Sequence, residues 1–165
     1  MLKNLTRAYQ ALIFFGGLLK SPILLLCRLY WGWLFIAAGW EKLNNISQFA
    51  TLLEQHGFFS PTILAYLAAL TEFIGGLCLL VGFASRLAAI PLMIVMLTAY
   101  LTVHAEAAQA LFRMPSIFVA DVHFNLLLTT LLILAFGPGR FSIDYMLERW
   151  LFSRAEEIPK HQHLH

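Results

Sequence analysis

The sequence predicts an all-α integral membrane protein: a four-helix membrane bundle with an N-terminal interfacial helix and a short lid helix on its outer side. Three observations carry this. The 165 residues are 60% hydrophobic and 12% charged, where soluble domains run near a quarter charged, and the mean hydropathy is +0.75. Four stretches, 22–40, 62–83, 87–103 and 116–136, approach the ~20 residues that one bilayer crossing needs. The basic residues, finally, gather at alternate connections. Lys3, Arg7, Lys20, Arg86, Arg140, Arg149, Arg154 and Lys160 fall on one side, Lys42 and Arg113 on the other, and Arg28 inside a span. The positive-inside rule then puts both termini and the Arg86 turn in the cytoplasm. A net charge of +2 is too small to imply nucleic acid.

Residues 1–20 read as an amphipathic interfacial helix, with Leu2, Leu5, Tyr9, Leu12 and Leu19 at helical spacing opposite Lys3, Arg7 and Gln10. A signal peptide is the other reading of a basic start and an apolar core, but no small-residue cleavage site follows. Residues 21–147 make the four-span domain and 148–165 a cytoplasmic tail. Between spans one and two, Phe49, Leu52 and Leu53 share a helical face, with Ser47 placed to cap its start and Gly57 to end it. Spans two and three form an antiparallel hairpin through "GFASR", Gly82 ending one helix and Ser85 capping the next. Gly75 and Gly76 permit a close backbone approach, and Pro91 predicts a kink in span three. Span four is wholly apolar only over 124–136, so residues 116–123 must supply its outer turns. The two cysteines, Cys27 and Cys78, have no CxxC spacing and read as small packing residues.

Two charges stand inside the spans. At ~1.5 Å per residue, Arg28 lies roughly 9 Å from Pro22, Glu72 roughly 15 Å from Gly82 and Asn125 roughly 18 Å from Gly137. Those depths predict an Arg28–Glu72 ion pair with Asn125 beside it, because a lone charge at mid-bilayer costs ~2.5–3.5 kcal/mol or more. Two roles stay open for this triad: fixing which helix packs where, or meeting a ligand or a proton. A second constellation forms the outer mouth, with Glu41, Lys42, His56, His104, Glu106, Asp121 and His123. Its spacing holds no HExxH and no His pair at i, i+4, so no metal site is assigned to it.

Four stretches, "LLLCRLYWGWLFIAAGWEKL", "FATLLEQHGFFSP", "EFIGGLCLLVGFASRLAAIPLMIVMLTA" and "FNLLLTTLLILAFGPGRFSIDYML", resemble the DoxX family of small four-span bacterial membrane proteins. The resemblance covers about 24–147, and its signature positions stand here as Arg28, Gly32, Gly39, Lys42, Glu72, Gly75, Gly76, Gly82, Arg86, Gly137, Pro138, Gly139, Arg140, Ser142 and Asp144. It implies a bundle in the bacterial cytoplasmic membrane, embedded in lipid and joined to a protein partner or to further copies of itself. Some relatives are small subunits of quinone-linked oxidoreductases and others handle oxidative stress, so it implies quinone as the cofactor. A quinone headgroup would bind at Arg28, Glu72, Asn125 and Lys42, with Glu72, Arg28 and His104 as the catalytic groups. With no flavin, iron–sulfur or CxxCH motif, a partner would supply the electrons, and haem is disfavoured. The competing reading is a noncatalytic membrane scaffold or assembly factor whose buried polar residues only enforce packing.

Overall fold

The computed structural model describes residues 2–103, 105, 109, 114–139 and 141–156. His104, Glu106, Arg113, Arg140 and the His-rich tail lie outside the described residues. Among those described, every regular element is a helix. The first, α1 (Leu2–Asn44), is followed by α2 (Ile46–Gln55), α3 (Pro61–Val81), α4 (Ser85–Thr102), α5 (Pro115–Ala120), α6 (Val122–Phe136) and α7 (Ile143–Glu156). Three of them are long and apolar enough to cross a membrane, over Leu12–Asn44, Pro61–Val81 and Ser85–Thr102, and the shorter apolar α6 is the fourth. These four form the bundle, with α1 along α3, α3 beside α4, α4 along α6 and a sparser α6–α1 seam closing the ring. The core between them is Phe35, Leu79, Ala89, Leu92, Met96, Leu126 and Ile133.

The α1–α3 pairing follows from two facing stripes in which small residues recur. On α1, Arg28, Gly32, Phe35, Gly39 and Lys42 recur at steps of four and three, and on α3 so do Ala65, Ala69, Glu72, Gly76 and Leu79. Such a repeat keeps one face of each helix turned to its partner. A Cβ on Gly39 would sit 2.5 Å from the Phe73 amide nitrogen, and one on Gly76 would sit 2.8 Å from the Ile36 nitrogen. The two backbones therefore touch, the packing mode open to helices in lipid, where apolar burial against another helix gains little over acyl chains.

The amphipathic N-terminal segment and span one form one unbroken helix. α1 carries Pro22 inside it, so the boundary read at residue 20 is not a break in the chain. At ~1.5 Å per residue its 43 residues extend about 65 Å, more than twice the ~30 Å hydrocarbon core. Helix α4 likewise continues through Pro91.

Several helix ends differ from expectation. Gly57 and Gly82 do turn left-handed, at φ +76° and +77°, and close α2 and α3. Ser47 caps nothing, since α2 begins one residue earlier, after Asn45. Ser85 is not the cap of α4 either. Its hydroxyl is buried without a hydrogen bond, and Asp144, sixty residues on, accepts from the Ala84 and Ser85 amides at 2.6 and 2.9 Å. A carboxylate suits that place because the first amides of a helix lack intrahelical partners and carry partial positive charge.

Span four is interrupted. Asp121 is extended (φ −67°, ψ 129°) between α5 and α6, and its side chain accepts from the His123 and Phe124 amides at 2.8 and 3.3 Å. It is an N-cap set within the span. The Asn125 side-chain amide spans the break, donating to Val119 O at 2.9 Å and to Asp121 O at 3.0 Å, the latter also accepting the Asn125 backbone N–H as the first bond of α6.

Candidate functional site

The expected Arg28–Glu72 pair does not form. Glu72, 1% exposed, is paired with Lys42, whose ammonium donates to both carboxylate oxygens at 2.5 Å. The reason is register. Gly32 meets Leu80, Ile36 meets Gly76 and Gly39 meets Phe73, so Glu72 stands level with Trp40, within reach of Lys42 and far along α1 from Arg28. Depth counted from Pro22 misplaces α1, because that proline lies within the helix and marks no membrane boundary. Asn125 does not join the pair either, because its amide is occupied by Val119 O and Asp121 O at the break. Of the residues expected to meet a ligand, the structure brings together Glu72 and Lys42. Arg28 and Asn125 are elsewhere, and His104 is outside the described residues.

Arg28 instead forms a clasp at the end of the bundle that carries the α3–α4 turn. Buried to 1% exposure, it donates from Nε to Leu79 O (2.8 Å), from Nη2 to Leu80 O (3.2 Å), and from Nη1 to Pro138 O (2.8 Å) and Phe141 O (3.0 Å). Leu79 and Leu80 end α3, and Pro138 follows α6, so one guanidinium satisfies carbonyls that helix ends leave unpaired and lies at the negative end of two helix dipoles. Gly82 is required beside it, since any Cβ there would fall inside the guanidinium. Asp144, the cap of α4, supplies a negative charge that acts on the guanidinium, and its own amide donates to Gly82 O at 2.9 Å. Ser142 bridges Gly139 O and the Tyr145 amide. Arg28, Gly82, Ser142 and Asp144 thus act as one structural device.

The opposite end, beneath the lid helix α2, holds a chamber. Two hollows reach the Lys42–Glu72 pair and share Lys42, Phe49, Leu52, Glu72 and His123 in their walls. One, about 300 Å³, lies between α2, α3 and α4 and is almost wholly apolar, with Leu53, Phe58, Leu64, Leu67, Ile94, Val95 and Ala99, and Thr98 and Thr102 as its hydroxyls. The other, about 620 Å³, lies between α1, α2 and α6 and carries Glu41, Asn45 and Gln48 at its rim. The apolar hollow includes Leu67 and Ile94, which are 61% and 58% exposed on the lipid-facing side of α3 and α4. The ion pair therefore lies between an apolar opening and a polar one.

Within the chamber Lys42 spends two of its three donors on Glu72 and stands 5.3 Å over the Phe49 ring. His123 Nδ1 lies 3.3 Å from Asp121. The arrangement offers a hydrogen-bond donor and a carboxylate to an apolar molecule with a polar edge. Among the described residues, no group of three His, Cys, Asp or Glu gathers as a metal cluster would. The Lys42–Glu72 contact was available as a signal: Arg28 and Lys42 sit on the same heptad stripe, and the glycines on that stripe set which of them meets Glu72. Cys27 and Cys78 are free thiols, neither fully buried.

Comparison with known proteins fits this picture. The DoxX family pattern matches residues 23–105. An inner membrane protein of Escherichia coli, YqjF, is 32% identical over 134 residues, covering 79% of this chain and 96% of its own. An uncharacterized protein of Haemophilus influenzae is 26% identical, covering 81% of this chain and 88% of its own. An uncharacterized membrane protein of Mycobacterium tuberculosis is 29% identical, covering 78% and 83%. No solved structure matches. With its four apolar helices, its glycine-lined seam and the matched segment running from the start of span one past the end of span three, the chain belongs to the DoxX family.

Proposed function

We propose that this protein is a small membrane subunit that binds a quinone headgroup in the chamber under α2 and serves quinone-linked redox chemistry or the handling of oxidative stress. One observation carries the reading: an ion pair with a spare ammonium N–H, walled by an apolar hollow of about 300 Å³, which is the lower end of the size range of small-molecule pockets. A quinone bound there supplies a two-electron, two-proton acceptor. Lys42 would donate to a ring oxygen, Glu72 would hold or release a proton beside it, and the apolar walls would exclude water from the ring. Electrons come from a partner protein, since the chain carries no motif for an electron carrier.

The test is extraction. Protein purified in mild detergent is expected to yield about one quinone per chain on solvent extraction and mass spectrometry, and the Lys42→Leu, Glu72→Leu double variant at least ten-fold less. Equal content in the two proteins, or none in either, overturns the reading. An unliganded protein that still retains a single partner would point to the scaffold role.

The distribution of basic residues further supports an orientation in the bacterial cytoplasmic membrane with the α3–α4 turn and both termini on the cytoplasmic side. A single cysteine placed at Ser85's neighbour Arg86, in a background lacking Cys27 and Cys78, should resist a membrane-impermeant maleimide in intact cells. One placed at Gln48 should react. The reverse pattern overturns the orientation.

A further inference from the structure

At the end away from the lid, the α1–α6 seam carries a cleft with charged walls next to a groove with apolar ones. A cleft of about 670 Å³ opens there between α1, α4, α6 and α7, with Lys20 and Arg86 on its walls. Among the described residues neither cation takes a carboxylate. Lys20 lies 5.1 Å over the Phe136 ring, and Arg86 lies against Gly137. Two acids share the cleft. Asp144 has both oxygens committed to the start of α4, and Glu148 is exposed.

The cleft does not end at its polar walls. Through Lys20 and Phe136 it adjoins an apolar groove of about 240 Å³ lined by Ile23, Leu24, Cys27, Leu132 and Ile133. From Lys20 to Cys27 that groove runs roughly 10 Å along α1, toward the middle of the bundle. It follows the sparsest seam of the four-helix ring, where side chains leave space unfilled.

We propose that this seam is a binding site for a glycerophospholipid, its phosphate held by Lys20 and Arg86 and one acyl chain laid in the groove between α1 and α6. Basic pockets between membrane helices recognise phosphate headgroups in this way, and a chain in the groove supplies the packing that α1 and α6 do not supply to each other. The site is separate from the Lys42–Glu72 chamber, at the other end of the bundle, and holds whether or not a quinone binds.

Native mass spectrometry of the delipidated full chain, titrated with phosphatidylglycerol, tests it. One retained lipid per chain is expected near equimolar ratio. Retention should fall about ten-fold in the Lys20→Gln, Arg86→Gln double variant, stay unchanged in Arg149→Gln, and resist millimolar inorganic phosphate. Gly16→Leu gives an independent arm: Gly16 also lines the groove and nothing lies within 4 Å of a Cβ there, so a leucine is tolerated without a clash and, added at the groove wall, should lower retention similarly in a folded protein. Equal retention in every variant would identify annular lipid. Displacement by inorganic phosphate would identify a bare anion site, and indifference to Gly16→Leu would remove the acyl chain from the groove. Each of these three results overturns the proposal.

Discussion

Replacing Lys42 with leucine is expected to lower the thermal unfolding midpoint of the detergent-solubilised protein by roughly 6–20 °C, and adding Glu72→Leu is expected to restore most of the loss. The single change leaves the carboxylate, 1% exposed, without its counter-charge, and removing one member of a buried ion pair costs about 3–5 kcal/mol. A domain of this length shifts by about 2–4 °C per kcal/mol. Removing both members strands no charge, and leucines at those places continue the apolar walls of the chamber, so the double variant loses little. The pair is therefore no source of stability relative to an apolar alternative. That result would leave helix register or ligand binding as the reason for an ammonium and a carboxylate in an oily chamber, and because the double variant stays folded it is the proper control for the quinone extraction that separates the two. A double variant as unstable as the single one would show that Lys42 supports the lid by some route other than Glu72.

Features that depend on local composition were legible in the sequence, and those that depend on register were not. The span lengths follow from apolar runs, and the ends of α2 and α3 follow from Gly57 and Gly82, since a left-handed residue closes a helix whatever lies around it. The pairing of Glu72 is not legible by counting depth from Pro22 on one helix and Gly82 on the other, because an antiparallel register is set where two backbones can touch, here at Gly32, Gly39 and Gly76. The cap of α4 escapes a local reading for a related reason. Ser85 has the right residue type at the right place, yet Asp144 comes from sixty residues away with a charge and two acceptors and displaces it. Depth alone makes span four continuous, because it assigns Asp121 no capping role. An aspartate followed by two free amides is also a helix start, and the Asn125 side-chain amide, four residues on, spans the break.

Arg28→Met should destabilise the protein about as strongly as Lys42→Leu, by roughly 3–5 kcal/mol in sum over the carbonyls it leaves unpaired, and no second substitution at Glu72 should rescue it. Four carbonyls, those of Leu79, Leu80, Pro138 and Phe141, lose their donor at once. A half-buried carbonyl left without a partner costs about 1–3 kcal/mol, partly offset where water reaches the loop after α6. Arg28→Lys keeps the charge but recovers only part of the loss, because a single ammonium cannot serve carbonyls on two segments as a planar guanidinium with five N–H groups does. Since Arg28 and Glu72 share no partner, the effect of Arg28→Met should add to that of the Lys42→Leu, Glu72→Leu variant within ~0.5 kcal/mol. Measured as thermal midpoints on the single, double and triple variants, additivity places the two charges in separate devices, one holding the turn end together and one facing the chamber. Rescue of Arg28→Met by Glu72→Leu would instead mean that the two side chains meet in the membrane, and the assignment of Glu72 to the chamber would fall with it.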